Sequence, residues 1–425
     1  MSMLLIFNLI ISFSDIHRQT ASMKSCNAYE STWNANVFIW NLPEDGHNGI
    51  KQSIDEDMEQ LRAASEEKKR NEINPNLVED ILNSYKDLFG KYLKNPKKYE
   101  IQILYTQINR DENNTPSFQS YSYNMDSKKY FYPASSIKLS ACVLALEKLN
   151  NLQIDGVDKY CTVKIGATRY SQTATTGTIA NYIKNVLLVS DNLSFNRLYE
   201  FLGQKYYNET LLAKGYENVQ ILHRLQTKLP VEENKHTNPF TFYKNNKVIY
   251  SQAAAYNDQD FRNKSGLYDY MRAGDNFSGK NFFSIQDLQD ILKAVMFPNE
   301  ILPEKRFNLT EEDYSFLRKY LATTPRQGGY QHTDSFTKFF MVGDSDKPLP
   351  SNIKMFSKSG IAWGYMIDNA YIVDKSKGIE FLLTAVVHDG TIDNNNNYSG
   401  VNRPFLGNLG RVVYEYEKAR LKVKR

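Results

Sequence analysis

The segment PASSIKLSACVLALEKLNNL, residues 133–152, constrains the fold more than any other part of the sequence. Its apolar residues lie nearly all round a helical projection, and a helix with that pattern is buried on every side. The chain has 425 residues, 41% of them hydrophobic, so it is long enough to build a core around such a helix. We therefore expect a large globular domain with this helix at its centre.

The segments on either side of this helix predict the remaining elements. Apolar spacing predicts a helix from residue 76, a strand hairpin over 100–108 and 118–124, and a final helix over 404–420. The other predicted helices are 178–189, 192–202, 284–297 and 311–322, and the late strands are 352–361, 364–374 and 378–390. Strands near both chain ends, with a mostly helical region between them, predict an α+β fold whose antiparallel sheet uses both ends of the chain.

Composition argues against several classes of function. The chain has 52 Lys and Arg against 48 Asp and Glu, spread along its length, so no basic patch indicates nucleic acid as a partner. Three cysteines, Cys26, Cys142 and Cys161, cannot make a disulfide framework, and Cys161 is the only plausible partner of Cys142. Six single histidines and the lack of nucleotide-binding glycine motifs predict no metal and no cofactor.

The first 74 residues differ from the rest of the chain. An apolar run from Met3 to Phe13 is too short to span a membrane and has the length of a signal-peptide core, so residues 1–25 are a candidate signal peptide. No Lys or Arg precedes that run, and a start codon assigned too far upstream is the alternative. We expect a periplasmic or secreted protein without a stable membrane span. Residues 26–74 are predicted as a helical or flexible extension ahead of a domain over 75–425.

Ser135 and Lys138 lie at the start of the central helix, at a spacing that puts both on one face. The same Ser-x-x-Lys pattern recurs at Ser65, Ser335 and Ser351, so the motif alone has little weight. Its position adds weight, because the free N–H groups of a helix N-terminus favour developing negative charge. Burial also lowers the pKa of a lysine, so that its neutral amine can deprotonate serine. The alternative is a lysine whose amine reaches the surface.

Two further motifs follow along the chain. Ser190-Asp191-Asn192 lies between two predicted helices, and Lys358-Ser359-Gly360 lies in the first late strand. SxxK, SDN and KSG in this order resemble the motif set of class A β-lactamases and penicillin-binding proteins. The resemblance covers residues 75–425 and implies the β-lactamase/transpeptidase-like fold. It also implies a serine acyl-hydrolase that acts on a small β-lactam or a peptidoglycan peptide. We expect the protein to be a monomer.

The resemblance assigns chemical roles to the first two motifs. Ser135 is implied as the nucleophile that accepts the acyl group, and Lys138 as its base or proton relay. Ser190 is implied to pass a proton to the leaving nitrogen. Asn192 is implied to hydrogen-bond both the substrate amide and Lys138.

Further roles are implied around the third motif. Lys358 supplies positive potential, Ser359 binds the substrate carboxylate, and Gly360 leaves room for the substrate backbone. The N–H group of Ile361 joins that of Ser135 in an oxyanion hole. Tyr170 is a candidate for the aromatic wall of the pocket, and a packed tyrosine at a strand end is the alternative.

The sequence departs from the family pattern after the SDN motif. Where class A β-lactamases carry the glutamate that activates the deacylating water, this chain has Gln226, and Pro230 replaces the asparagine that helps to hold that water. An amide can orient a water but cannot accept its proton. Three explanations are open: Glu232 or Glu233 supplies the base, the acyl-enzyme is long-lived, or the substrate is another amide or ester.

Two interpretations compete with a β-lactamase-like hydrolase. One is a D-alanyl-D-alanine peptidase or a related peptidoglycan amide hydrolase. The other is a non-catalytic module that binds β-lactams or wall fragments. Polar, aromatic-rich segments near 240–279 and 325–351 are predicted as surface insertions, which either reshape the cleft or lie far from it.

Overall fold

The structure is a computed structural model that describes residues 75–168, 174–262, 271–272, 275–390 and 397–423. These residues belong to one compact unit, Asn74–Arg425. The signal peptide and extension predicted for residues 1–74 lie outside the described residues, and so does Tyr170.

The described residues form fourteen strands and ten α-helices. The strands are β1 (Gln102–Arg110), β2 (Pro116–Tyr123), β3 (Thr162–Ile165), β4 (Thr175–Gly177), β5 (Val219–Gln220), β6 (Phe240–Lys244), β7 (Lys247–Gln252), β8 (Met271–Arg272), β9 (Asp275–Asn276), β10 (Phe282–Phe283), β11 (Lys354–Ser357), β12 (Gly360–Ala362), β13 (Tyr365–Asp374) and β14 (Ile379–His388). The helices are α1 (Leu77–Ser84), α2 (Lys86–Leu93), α3 (Pro96–Tyr99), α4 (Lys138–Leu152), α5 (Ile179–Val189), α6 (Asn192–Leu202), α7 (Gln204–Ala213), α8 (Ile285–Met296), α9 (Glu311–Ala322) and α10 (Arg403–Val423). None of these helices is long and apolar enough to cross a membrane.

The main sheet joins the two ends of the domain. Its hydrogen-bonded order is β11-β13-β14-β1-β2, with β12 paired to β13, and every pairing is antiparallel. The early strand β1 pairs with the late strand β14, so that Leu104 lies opposite Thr384. This arrangement confirms the predicted α+β fold with one sheet built from both chain ends.

The side chains of β1 point alternately into two separate parts of the core. Leu104 packs into the cluster that contains the central helix α4, whereas Ile103 and Tyr105 pack into the cluster that contains α1, α2 and α10. Successive residues of a strand point to opposite faces, so both faces of the sheet are covered by helices. Every residue of α4 from Lys138 to Glu147 is buried, as the all-round apolar pattern predicts.

The prediction of a surface insertion over 240–279 is wrong for its first part. Strands β6 and β7 form a hairpin in a four-stranded sheet of order β4-β3-β6-β7. Phe240 and Phe242 are fully buried and pack against Phe201 of α6. They are two residues apart, which is the period of a strand with one buried face. In the sequence, the polar residues around them make this period hard to recognise.

The second predicted insertion, 325–351, is also partly buried. Phe339 and Phe340 are buried, and their backbone N–H groups donate to Asp368 Oδ2 at 2.7 and 3.1 Å. Because Asp368 lies on β13, this segment is fixed to the main sheet beside the strand that carries the KSG motif. It is therefore not a surface loop remote from the candidate site.

Candidate active site

The turn that carries Ser135 directly precedes α4. Residues Ala134–Ile137 form a 3-10 turn that begins at a left-handed Ala134 (φ +49°), and Lys138 donates its backbone N–H to the Ser135 carbonyl. Side chains three residues apart are eclipsed in a 3-10 turn, so Ser135 and Lys138 lie on one face. Ser135 is half-buried, and a non-glycine residue in left-handed conformation beside it is a feature that clusters at functional sites.

Lys138 is fully buried, and its amine points into the site rather than toward the surface. Its Nζ lies 2.5 Å from the Ser190 carbonyl, 2.7 Å from Asn192 Oδ1 and 3.3 Å from Ser190 Oγ. Burial, and after it the charge on Lys358, lowers the pKa of Lys138 well below its usual value. A neutral amine has two N–H donors for the two close oxygens and keeps a lone pair that can accept a proton.

The SDN motif lies at the junction of α5 and α6. Ser190 ends α5 in a left-handed conformation (φ +56°), and Asp191 caps α6 by accepting the Ser194 N–H at 2.6 Å. Asn192 is the first residue of α6. The sharp junction holds Ser190 and Asn192 against the amine of Lys138, and the Asp191 cap supports the loop.

A second buried amine approaches the Ser190 hydroxyl. Lys358 Nζ lies 3.0 Å from Ser190 Oγ and 2.8 Å from the Ser359 carbonyl. Burial lowers the pKa of Lys358 to about 7. The Ser190 hydroxyl thus lies between two amines, and it can accept a hydrogen bond from one while it donates its own proton to the other.

Gly360 allows β12 to pass directly beside the Ser135 turn. A Cβ atom at this position would lie 2.7 Å from the Pro133 carbonyl oxygen, 2.7 Å from Ser136 N and 2.8 Å from Ser135 N. Any side chain would therefore push the strand away from the turn. This close approach is what an oxyanion hole made from the N–H groups of Ser135 and Ile361 requires.

The Ser359 hydroxyl is held by a neighbouring segment. It is buried and donates to the Thr337 carbonyl at 2.8 Å. A contact with a substrate carboxylate requires this hydroxyl to leave Thr337, so carboxylate binding by Ser359 stays a prediction. Thr337 is a neighbour of the site that the sequence analysis missed, because it contributes a main-chain carbonyl that no residue type signals.

The loop 223–236 flanks the SDN motif. Gln226 is left-handed (φ +55°), and its Oε1 accepts a hydrogen bond from Asn192 Nδ2 at 2.8 Å. Arg224 anchors the loop, because its Nε lies 2.8 Å from Oε1 of the fully buried Glu200. The structure therefore brings Gln226 into contact with the residues that surround Lys138.

The two alternative bases have different surroundings. Glu232 is exposed, accepts a hydrogen bond from the Tyr256 hydroxyl at 2.6 Å and pairs with Lys235 at 3.0 Å. These contacts, the tyrosine first, lower the pKa of Glu232. Glu233 begins a short 3-10 turn. Gln226 is the loop residue that contacts the SDN motif.

Cysteines and metal-binding groups contribute little to this site. Cys142 and Cys161 are both free thiols, so the pairing considered from the sequence does not occur in the structure. Within the described ranges, no group of three or more His, Cys, Asp or Glu side chains is arranged to hold a metal ion.

The sequence beyond the three motifs matches a known family. Residues 84–416 match the profile of the β-lactamase enzyme family. The chain belongs to the β-lactamase enzyme family. The match covers most of the chain and confirms the resemblance that the SxxK, SDN and KSG motifs indicate.

Several solved structures are similar to this β-lactamase-family chain. A class A β-lactamase from Bacteroides cellulosilyticus DSM 14838 is 13% identical with a TM-score of 0.49, over 81% of this chain and 99% of that chain. A class A β-lactamase from Clostridium kluyveri DSM 555 is 13% identical with a TM-score of 0.48, over 77% and 97%. PBP-A is 14% identical with a TM-score of 0.44, over 74% and 89%. No curated protein matches the chain.

Proposed function

We propose that this protein is an exported serine acyl-hydrolase that opens β-lactams or related amides and releases the acyl group slowly. The observation that carries the proposal is the position of the Ser190 hydroxyl. Its Oγ lies 3.3 Å from Lys138 Nζ and 3.0 Å from Lys358 Nζ. Two buried amines at one hydroxyl provide a path for a proton between nucleophile and leaving group. Export is supported by the apolar run from Met3 to Phe13.

In acylation, Ser135 Oγ attacks the amide carbonyl carbon while its proton moves to the neutral amine of Lys138. The new C–O bond converts the carbonyl oxygen into an oxyanion, which the N–H groups of Ser135 and Ile361 stabilise. Each such donor contributes on the order of 10²–10³ in rate. The C–N bond then breaks, and the proton passes from Lys138 through Ser190 Oγ to the leaving nitrogen.

Lys358 and Asn192 orient the groups that react. As a cation, Lys358 donates to Ser190 Oγ and leaves the hydroxyl proton free to move toward the nitrogen. Asn192 Oδ1, 2.7 Å from Lys138 Nζ, fixes the direction of that amine. The edge of β12 beside Gly360 receives the substrate backbone. The roles of Ser359 and Tyr170 remain those that the family resemblance implies.

Deacylation needs a base for the attacking water. In this step water forms a C–O bond to the acyl carbon, the bond to Ser135 Oγ breaks, and one proton of the water must be removed. Gln226 can orient the water but cannot take that proton. General-base assistance of roughly 10²–10⁴ in rate is therefore missing, and the acyl-enzyme accumulates.

Labelling with a fluorescent penicillin tests this function. We expect the wild-type protein to acquire the label and Ser135→Ala to acquire none. Ser351→Ala is the matched control, because Ser351 begins another Ser-x-x-Lys pattern that lies outside the site, and it should label like the wild type. No label on the wild type, or equal label on Ser135→Ala, contradicts the proposal. Reversible binding without a covalent adduct identifies a binding module instead.

A further inference from the structure

A second pocket lies at the far end of α6, away from the candidate active site. Asn192, which contacts Lys138, begins α6, and Leu202, which lines this pocket, ends it. Ten residues of helix place Asn192 and Leu202 about 15 Å apart. The pocket has a volume of about 330 Å³, within the roughly 300–1,000 Å³ of small-molecule sites. It is therefore large enough to hold a small ligand of its own.

The hairpin β6–β7 contributes one part of the pocket wall. Gln252 ends β7, and Ala253 and Ala255 follow it in the wall. Other parts come from Leu202 of α6 and Tyr206 of α7. Most of the wall surface is apolar, so the pocket favours a ligand with an apolar body.

The amine of Lys148, on α4, lies in this wall. Lys148 is half-buried, and its Nζ donates to the Phe201 carbonyl and, at 2.8 Å, to Gln252 Oε1. A protonated amine has three N–H donors, so one donor has no oxygen acceptor among the described residues. Nζ also lies 4.5 Å from the centre of the Phe201 ring and 5.3 Å from that of the Tyr206 ring, and these rings reduce its contact with water.

The charge on Lys148 lacks a counter-ion. In the part of the chain that the structure describes, no Asp or Glu side chain forms an ion pair with its amine. Burial lowers the pKa of Lys148 to about 8, so the amine is mostly protonated at about pH 7. A partly buried cation without a counter-ion is unfavourable. An anionic group on a ligand would supply the missing charge.

We propose that this pocket binds a small apolar carboxylic acid, with the carboxylate on the amine of Lys148 and the apolar body against the wall. One amine matches the single charge of a carboxylate, whereas a phosphate carries more charge and more acceptor oxygens to satisfy. Lys205 and Lys235 also line the pocket, together with the acidic Glu209. These charged side chains give the pocket a positive balance, which attracts an anion.

Calorimetric titration with two acids and their amides tests the proposal. 3-Phenylpropanoate and octanoate each carry one carboxylate on an apolar body, and 3-phenylpropanamide and octanamide have nearly the same shape without the charge. We expect at least one of the acids to bind the wild-type protein at about pH 7 with a dissociation constant of about 1 mM or below. The matching amide should bind at least about tenfold more weakly, because hydrogen bonds between charged groups are the stronger ones.

Two substitutions locate the bound acid at Lys148. Lys148→Met removes the charge and keeps an unbranched side chain, whereas Gln252→Glu puts a carboxylate beside the amine that competes with the ligand. Each should weaken binding of the acid at least about tenfold. Lys164→Met is the matched control, because Lys164 is an exposed lysine whose amine lies 4.8 Å from the Tyr243 ring centre, outside the pocket. It should bind the acid like the wild type.

Three results would overturn the inference. Neither acid binds the wild type at about 1 mM, an acid binds no more tightly than its amide, or both Lys148→Met and Gln252→Glu bind the acid as tightly as the wild type. An acid that occupies the active site instead gives the third result, because neither substitution touches that site. Thermal unfolding of each variant verifies that it is folded.

Discussion

Two buried lysines with different tasks meet at one hydroxyl. In the proposed mechanism, Lys138 must be neutral to accept the proton of Ser135, whereas Lys358 must be charged to donate to Ser190. Burial lowers the pKa of both amines, and the charge on Lys358 further lowers that of Lys138. The pair therefore titrates as a coupled system. This coupling predicts how acylation depends on pH.

The rate of acylation should rise with pH as Lys138 loses its proton. It should fall above pH about 7, where Lys358 loses its own proton. In Lys358→Arg the guanidinium stays charged, so the falling limb should disappear while the rising limb remains. Acylation rates with a penicillin between about pH 5 and 10 measure both limbs. Lys148→Arg is the control, because Lys148 is a half-buried lysine outside the site, and its partial burial lowers its pKa to about 8. A falling limb that persists unchanged in Lys358→Arg contradicts the assignment.

Gln226 is predicted to limit the release of the acyl group. Gln226→Glu keeps the oxygen that accepts from Asn192 Nδ2 and adds a group that can take a proton from water. We expect deacylation to accelerate by at least about 10-fold, and by up to the roughly 10²–10⁴-fold that general bases contribute. The decay of the adduct, followed over time, measures this rate.

Gln226→Ala removes the amide without adding a base, and its adduct should last at least as long as that of the wild type. If Gln226→Glu releases the acyl group no faster than the wild type, the missing base is not what limits deacylation. If the wild type already turns over rapidly, Glu232→Gln and Glu233→Gln identify which acid serves as its base.

At the scale of elements, the site depends on how closely β12 approaches the turn before α4. The helices and strands that carry the motifs follow from apolar periodicity, and the predicted bounds 192–202 and 311–322 are those of α6 and α9. The bends between elements do not follow from it. Ala134 and Ser190 adopt left-handed conformations that their residue types do not favour, so tertiary contacts impose them.

Gly360→Ala tests the approach of β12. The added methyl group would lie 2.7–2.8 Å from three backbone atoms of the Ser135 turn, so the strand must move and separate the two oxyanion donors. We expect acylation to fall by on the order of 10²-fold or more and the free energy of unfolding to fall by about 1–3 kcal/mol.

Gly90→Ala is the matched control for this change. Gly90 lies within α2, and a Cβ atom there would meet no neighbouring atom within 4 Å, so alanine should leave acylation unchanged and stabilise the helix by roughly 0.5–1 kcal/mol. Thermal unfolding and penicillin labelling of both variants give the comparison. If Gly360→Ala is acylated at the wild-type rate, close contact between β12 and the turn is not required.

Across the whole molecule, the first strand and the last helix hold the sheet together. The Tyr105 hydroxyl on β1 donates to Glu417 on α10, where both residues are fully buried, and Arg420 pairs with the same carboxylate. The order of strands and helices along the chain predicts a sheet built from both ends. It does not predict this polar contact inside an apolar core, because neither residue type nor spacing indicates which buried groups will pair.

Tyr105→Phe tests the connection between the two chain ends. It leaves one oxygen of the buried Glu417 without its donor, so the free energy of unfolding should fall by about 1–3 kcal/mol. Tyr121→Phe, which removes a half-buried hydroxyl 3.3 Å from Gln107 Oε1 on β1, should have a smaller effect. Urea denaturation of the two variants measures the difference. Equal loss of stability in both contradicts a special role for the contact with Glu417.

Intact-protein mass spectrometry after exposure to benzylpenicillin tests the central claim most directly. Because the leaving nitrogen stays attached through the opened ring, acylation should add the full mass of one penicillin, and peptide mapping should place it on Ser135. The account predicts that this adduct forms on the wild type, is absent from Ser135→Ala, and disappears slowly over later time points. A wild-type protein that never gains this mass, or an adduct that forms equally on Ser135→Ala, would contradict it.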